Sequence, residues 1–220
     1  MLDHIIVLVA DLEGFKTRFE TETGVALTVG GAHLGLGTAN LLASVGEEVY
    51  LEFIAPNPEL DEPRGFGARL VSYREPHIAG FAARTEDIAA TATAAVAAGL
   101  TTVGPAAGSR ETPGGVLLSW RGLYLQGHDH GDQVPFFIDW GGTPHPSATS
   151  ARGLRLLSFR AVHPEPEGLA AIYRSLGIPV AVVAGEAPGF ELRIATPKGE
   201  LTYASALGER IFAPSAIVQD

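Results

Sequence analysis

The 220-residue chain contains no cysteine. That absence removes disulfides, thiolate metal sites and cysteine nucleophiles together, and leaves any chemistry to carboxylates, imidazoles, hydroxyls or a bound metal. Basic residues are also scarce: 15 Lys and Arg against 25 Asp and Glu give a formal net charge of -10. No basic cluster interrupts that balance, so neither nucleic acid nor a membrane surface is an expected partner. No apolar run is long enough to span a bilayer, and no basic stretch precedes the apolar residues after Met1, Asp3 and His4, so a cytoplasmic protein is expected. The dinucleotide fingerprint is missing because Gly35-Leu36-Gly37 does not open a helix after a strand. A P-loop, a paired-His zinc helix and a Gly-x-Ser-x-Gly elbow are missing as well.

What is present is material for a core. Hydrophobic residues make up 46% of the chain and charged residues 18%, enough for one large domain or two compact ones. Leu2 to Ala10 is rich in Ile and Val and reads as a strand. Asp11 follows as an N-cap, then a helical pattern of Leu12, Phe15 and Phe19 stopping at Gly24. From Val25 to Ala55, short β-prone runs broken by glycines predict three strands, the last containing Val49 to Ile54.

The same βαβββ order begins again. Gly80 to Arg84 reads as a strand, followed by an acidic cap, an Ala-rich helix and Gly99 as its stop. A third start runs from Leu154 through Ala161, with a helix opening between Pro164 and Glu167, an apolar face of Leu169, Ile172 and Tyr173, and a stop at Gly177. His4, Gly80 and Leu156 are spaced 76 residues apart, and that spacing sets Asp11 against Asp87. The segments opening at Glu48 and Glu200 each lie 44 residues after their module's start. The expected organisation is paired modules at 1–55 and 78–140 forming one domain over 1–140, and a third βαβββ-like module at 153–210. Linkers fall at Pro56 to Pro76 and Gly141 to Arg152, the first with room for a short helix over the site.

Four stretches carry a resemblance: Leu2-Asp3-His4-Ile5-Ile6-Val7, the hairpin Gly30 to Asn40, Tyr50 to Pro56, and Phe136 to Gly141. Together with the repeat they resemble the vicinal-oxygen-chelate superfamily and, within it, the glyoxalase-like domain proteins. The resemblance implies an α+β fold in which repeated βαβββ modules curl into an open half-barrel mixed sheet around a central cavity. It implies function inside that cavity, and a divalent ion, Fe, Mn, Zn or Ni, held at the positions of His4, Gly80, Glu52 and Asp139. One of the four is glycine, which leaves His4, Glu52 and Asp139 as metal candidates. Such an ion would polarise a substrate oxygen as a Lewis acid.

Each candidate has an alternative. His4 and Glu52, the candidate catalytic pair, could be a buried histidine and its carboxylate partner without metal. Asp139 in its apolar run needs a cation, a metal or several donors if buried. His33 and Asn40 could face a ligand, or Asn40 could satisfy local backbone. Trp120 and Trp140 could line a cavity or be core, as could Phe136 and Phe137. Arg121 suits a carboxylate ligand only if it faces inward. His128, His130 and Asp132 could bind an ion, but the glycines around them suggest a hairpin loop.

Three functions follow: a metal-dependent lyase, isomerase or dioxygenase; a metal-free protein that sequesters a small molecule; and a metal-free enzyme using Glu52, His4 or His33 as acid and base. A homodimer is a further expectation.

Overall fold

The computed structural model describes residues 1–33, 35–74, 76–208 and 210–212. Leu34 of the glycine-rich hairpin, Glu75 of the first linker and Glu209 near the end of the third module lie outside them. Twelve strands and four helices alternate along the chain among the described residues. Strand β1 (Leu2–Leu8) leads into helix α1 (Leu12–Thr23), then β2 (Thr28–His33), β3 (Thr38–Gly46) and β4 (Val49–Pro56). Asp11 caps α1 by accepting from Gly14 N at 2.5 Å, and Gly24 ends it in the left-handed conformation at φ 78°.

The order repeats as β5 (His77–Arg84), α3 (Ile88–Ala97), β6 (Thr101–Glu111), β7 (Leu117–Gln126) and β8 (Phe136–Asp139), with the short helix α2 (Gly65–Arg69) between the two runs. Each run forms a four-stranded curl in the same order, first strand beside last. The curls meet at two seams: β1 pairs antiparallel with β5, and β2 pairs with β6 through Ala32↔Glu111 and His33↔Arg110. The two halves thereby close into one eight-stranded barrel of mixed direction.

Strand alternation divides the apolar residues between two sides. Ile5, Val7, Leu41, Ala43, Leu51, Phe53, Phe81, Leu123 and Phe137 belong to the main core outside the ring, where the rings of Phe15 and Phe19 of α1 pack at a tilt on Phe53. The alternate residues face inward. The parity of β1 and β4 sends His4 and Ile6, and Tyr50, Glu52 and Ile54, to the lumen.

Helix α2 and Ile211–Phe212 close one flank, where Phe66, Leu70, Ile211 and Phe212 pack with Ile6, Leu8 and Ile54. A Cβ on Gly67 would overlap the carbonyl oxygen of Gly37, so glycine there lets the α2 backbone lie directly on the 35–37 turn.

Strand β9 (Arg155–His163), helix α4 (Pro166–Ser175), β10 (Ala181–Ala184), β11 (Gly189–Thr196) and β12 (Gly199–Ala206) follow in the same linear order. Their pairing differs: the sheet runs β10-β9-β11-β12, so the last strand sits at an edge instead of beside the first. This sheet is fastened to the barrel by an aromatic knot in which Phe81 meets Phe159, Tyr173 and Phe190 at ring distances of 5.4, 6.0 and 5.9 Å. Gln133 Nε2 adds hydrogen bonds to Val162 O and Gly189 O, and Tyr173 Oη donates to Gln133 O. None of the described helices is long and apolar enough to cross a membrane.

Candidate functional site

The barrel encloses a cavity of about 230 Å³, with His4, His33, Glu52 and Arg110 among its polar lining and Tyr50, Trp120, Tyr124, Phe136 and Trp140 among its aromatic walls. Both wall types follow from the inward parity of the strands. Trp120 reaches the lumen because it lies over Gly108, where a Cβ would come within 2.5 Å of the indole nitrogen.

Glu52 is the hub of the polar groups. Asn40 Nδ2 donates to its Oε1 at 2.5 Å, His33 Nε2 stands 3.3 Å from that same oxygen, and His4 Nε2 stands 3.4 Å from Oε2. Burial would raise the carboxyl's pKa, but the hydrogen bonds from His33 and Asn40 and the charges of His4 and His33 overcome it and bring it down to about 2. Glu52 is therefore ionised throughout the neutral range.

His4 has a second carboxylate on its other nitrogen: Nδ1 lies 2.6 Å from Asp3 Oδ1. Asp3 is fully buried and also receives Trp140 Nε1 at 3.1 Å and His145 Nε2 at 3.1 Å, both on Oδ2. Burial pushes the Asp3 pKa up, and the bonds from His145 and His4 pull it well below the usual carboxylate range. An ionised carboxylate only accepts, so His4 donates from Nδ1 and presents Nε2 to Glu52 and the lumen. Burial disfavours the imidazolium, yet the Asp3 hydrogen bond and the charges of Glu52 and Asp3 outweigh it and raise the His4 pKa. The ring is held flat against Tyr50 at 4.8 Å.

Arg110 enters from β6 and is buried, at 4% exposure. Its Nη1 donates to Gly30 O across the β2/β6 seam. A Cβ on Gly30 would overlap Asn40 Oδ1 and stand 2.8 Å from Arg110 Nη1, so the glycine makes room for both side chains.

The structure brings His4, Glu52, His33, Trp120 and Trp140 to the cavity wall, and places Asn40 behind Glu52 as its donor. It does not bring Asp139 there. Phe136 and Ile138 take the inward positions of β8, which turns Asp139 outward to pair with Arg121 and to accept from Gly141 N at 2.8 Å. Arg121 likewise faces away from the cavity, its side chain 57% exposed. Asp132 is engaged elsewhere than with His128 and His130: its carboxylate accepts from Ile211 N and Phe212 N and holds Ile211–Phe212 against the barrel. His128 and His130 lie ring to ring at 6.3 Å, with His163 against His130 at 5.1 Å.

Sequence reasoning missed Arg110, Tyr50 and the Asp3 network. Asp3 and Tyr50 flank the named candidates, so their proximity was available; Arg110, among Ala, Gly and Ser, carried no strand-parity signal.

The donors present do not fit the expected divalent site. Each Glu52 oxygen faces a different histidine, Asp139 points away, and the fourth position, Gly80, is covered. The ring of Phe212 lies 3.3 Å from where a Gly80 Cβ would stand. Among the described residues no group of three or more His, Asp or Glu is disposed to hold a metal ion.

Residues 2–177 match the family described as glyoxalase-like domain. A solved structure of a hypothetical protein from Staphylococcus aureus aligns with 95% of this chain and 86% of its own, with a TM-score of 0.64 and 19% identity, a likeness of fold alone. Methylmalonyl-CoA epimerase from Mycobacterium tuberculosis aligns over 67% of this chain and 91% of its own, with a TM-score of 0.47 and 21% identity. A hypothetical protein from Bacillus halodurans C-125 aligns over 66% and 96%, with a TM-score of 0.48 and 14% identity. No curated protein matches the chain.

Proposed function

This chain belongs to the glyoxalase-like domain family, and from its barrel cavity we propose that it is a metal-independent enzyme that moves a proton on a small carbonyl compound. The observation that carries this reading is the His4 imidazole held between two ionised carboxylates with its Nε2 open to the lumen.

The two groups suit complementary roles. A substrate carbonyl oxygen beside His4 receives the Nε2 proton while Glu52 takes the proton from the adjacent carbon, giving the enol; return of both protons to their original atoms gives hydrogen exchange, and delivery of the carbon's proton to the other carbon of the enol, with the second oxygen releasing its proton, completes an isomerisation. Glu52 is a weak base while His4 is charged. The His33 and Asn40 hydrogen bonds to Glu52 remain, but as the proton leaves His4 one of the charges that lower the Glu52 pKa disappears, so the carboxylate gains proton affinity at the step that needs it. Asp3 keeps the His4 tautomer and orientation through both halves of the cycle.

A second reading, a carrier that sequesters an organic ligand, draws support from the aromatic wall of Tyr50, Trp120, Tyr124, Phe136 and Trp140. Exchange of carbon-bound hydrogen for solvent deuterium separates the two, followed by NMR over small ketones, aldehydes and oxo acids with a chelator present. The enzyme reading expects exchange that survives the chelator and falls by roughly 10² to 10⁴ in Glu52→Gln. No exchange, together with ligand-induced thermal shifts, would leave the carrier; exchange abolished by the chelator would overturn the metal-free route.

A further inference from the structure

Arg110 is the one charged cavity residue that the acid–base pair leaves without a task. Its guanidinium is buried, lines the lumen, and makes a single side-chain hydrogen bond among the described residues, to Gly30 O. No described carboxylate lies within ion-pair distance of it: Glu52 is committed to His4, His33 and Asn40, and Asp3 to His4, Trp140 and His145. A guanidinium has five N–H donors, and a buried cation without a counter-charge is costly unless an anion completes it. The room for this side chain is itself built in, through the missing Cβ of Gly30.

We infer that Arg110 anchors a carboxylate of the cavity's ligand, which makes small oxo acids the substrate class. The inference rests on the reading that the cavity takes a carbonyl compound, and it adds where the rest of that compound lies. A guanidinium edge matches one carboxylate in a two-point bond. A phosphate would ask for more donors, such as a helix N-terminus or a nest of backbone amides, and the imidazoles of the lining, His4 and His33, already face Glu52. Beside Arg110 the wall is Trp120, perpendicular to His33 at 6.4 Å, with Trp140 behind it at 5.4 Å. A flat or branched apolar group attached to the oxo acid fits that wall.

Calorimetric titration with phenylpyruvate, its uncharged analogue phenylacetone and inorganic phosphate tests this without requiring turnover. Wild type is expected to bind phenylpyruvate roughly tenfold to a hundredfold more tightly than phenylacetone. Arg110→Gln should erase that preference and Arg110→Lys keep part of it. Should Arg110→Gln fail to fold, the wild-type preference and the Arg110→Lys variant still decide the matter. Equal affinity for acid and ketone, no binding of either, or phosphate displacing the acid at comparable concentration would overturn the anchor. Arg110-dependent binding without hydrogen exchange would retire the proposed reaction and keep the anchor; exchange on ketones with no preference for acids would do the reverse.

Discussion

Asp3 and His4 are consecutive residues of one strand, yet the carboxylate of the first lies 2.6 Å from the imidazole Nδ1 of the second. Neighbours on a strand ordinarily point to opposite faces. Here the β1/β5 pairing shifts register between Leu2 and His4, and the Asp3 carboxylate gathers His4, Trp140 and His145 around itself. The chain segment that supplies the acid also supplies the group that fixes its tautomer.

Asp3→Asn should lower the His4 pKa, read directly from the imidazole resonances in an NMR titration. Loss of the charged hydrogen bonds should cost about 1–3 kcal/mol of stability. Because the folded-state pKa of His4 is raised above 6.5, its contribution is complete below that pH and fades as pH rises through the folded value. The stability gap between wild type and Asp3→Asn should therefore be wider in mild acid than in alkali.

Glu52 works in the opposite sense. Its pKa is depressed from 4.5 to about 2, so its contribution is present above 4.5 and is lost as pH falls through 2, an effect on the order of 3 kcal/mol. Urea denaturation of wild type should weaken across that window. Glu52→Gln should be less stable at neutral pH and show a flatter acid limb; an equally steep limb would place the titration elsewhere.

Gly30→Ala puts a methyl group into the space of Asn40 Oδ1 and close to Arg110 Nη1. The overlap should cost about 1–3 kcal/mol and displace both side chains. Thermal denaturation and phenylpyruvate affinity should fall together; a stable variant with unchanged affinity would mean that Arg110 does not need this position.

Asp139→Asn and Arg121→Ala are the contrasting cases. The pair faces away from the cavity and its cation is mostly exposed, so each change should shift stability by no more than about 1 kcal/mol and leave ligand affinity alone. Elemental analysis of protein purified without a tag should find no stoichiometric divalent metal, and titrated metal should show no dependence on both His4 and Asp139. Stoichiometric metal lost in both His4→Ala and Asp139→Asn would contradict the placement of Asp139.

Local signals in the sequence located the scaffold because they act over a few residues. Asp11 and Gly24 bound α1 by hydrogen bonding and a left-handed φ, whereas the inward positions of His4 and Glu52 follow from the resemblance, because β1 and β4 are buried on both faces and show no alternation. Asp139 as a metal candidate rests on the resemblance alone: β8 has only four residues, three of them buried, which leaves no alternation from which its outward face could be read. Arg110 went unnoticed for a related reason: its strand is mostly small residues, and its burial is created by β2 across a seam that no local pattern encodes. The arginine that lines the lumen is Arg110, while Arg121 faces out and pairs with Asp139. Gly80 read as a missing ligand, whereas in three dimensions it is contact room for Phe212, more than a hundred residues away in the chain.

The β2/β6 seam joins the two halves of the barrel through two residue pairs, and one of those pairs is His33 with Arg110. Girth and charge of the lumen are thus set by the same joint. A ligand too wide for the ring would have to part the strands there, separating the residue that carries the guanidinium from the one that carries the imidazole. With the proposed anchor at Arg110, tolerance for bulk and recognition of an anion trade against each other in this barrel, and variants selected for larger ligands should accumulate changes along β2 and β6 before any appear at His4 or Glu52.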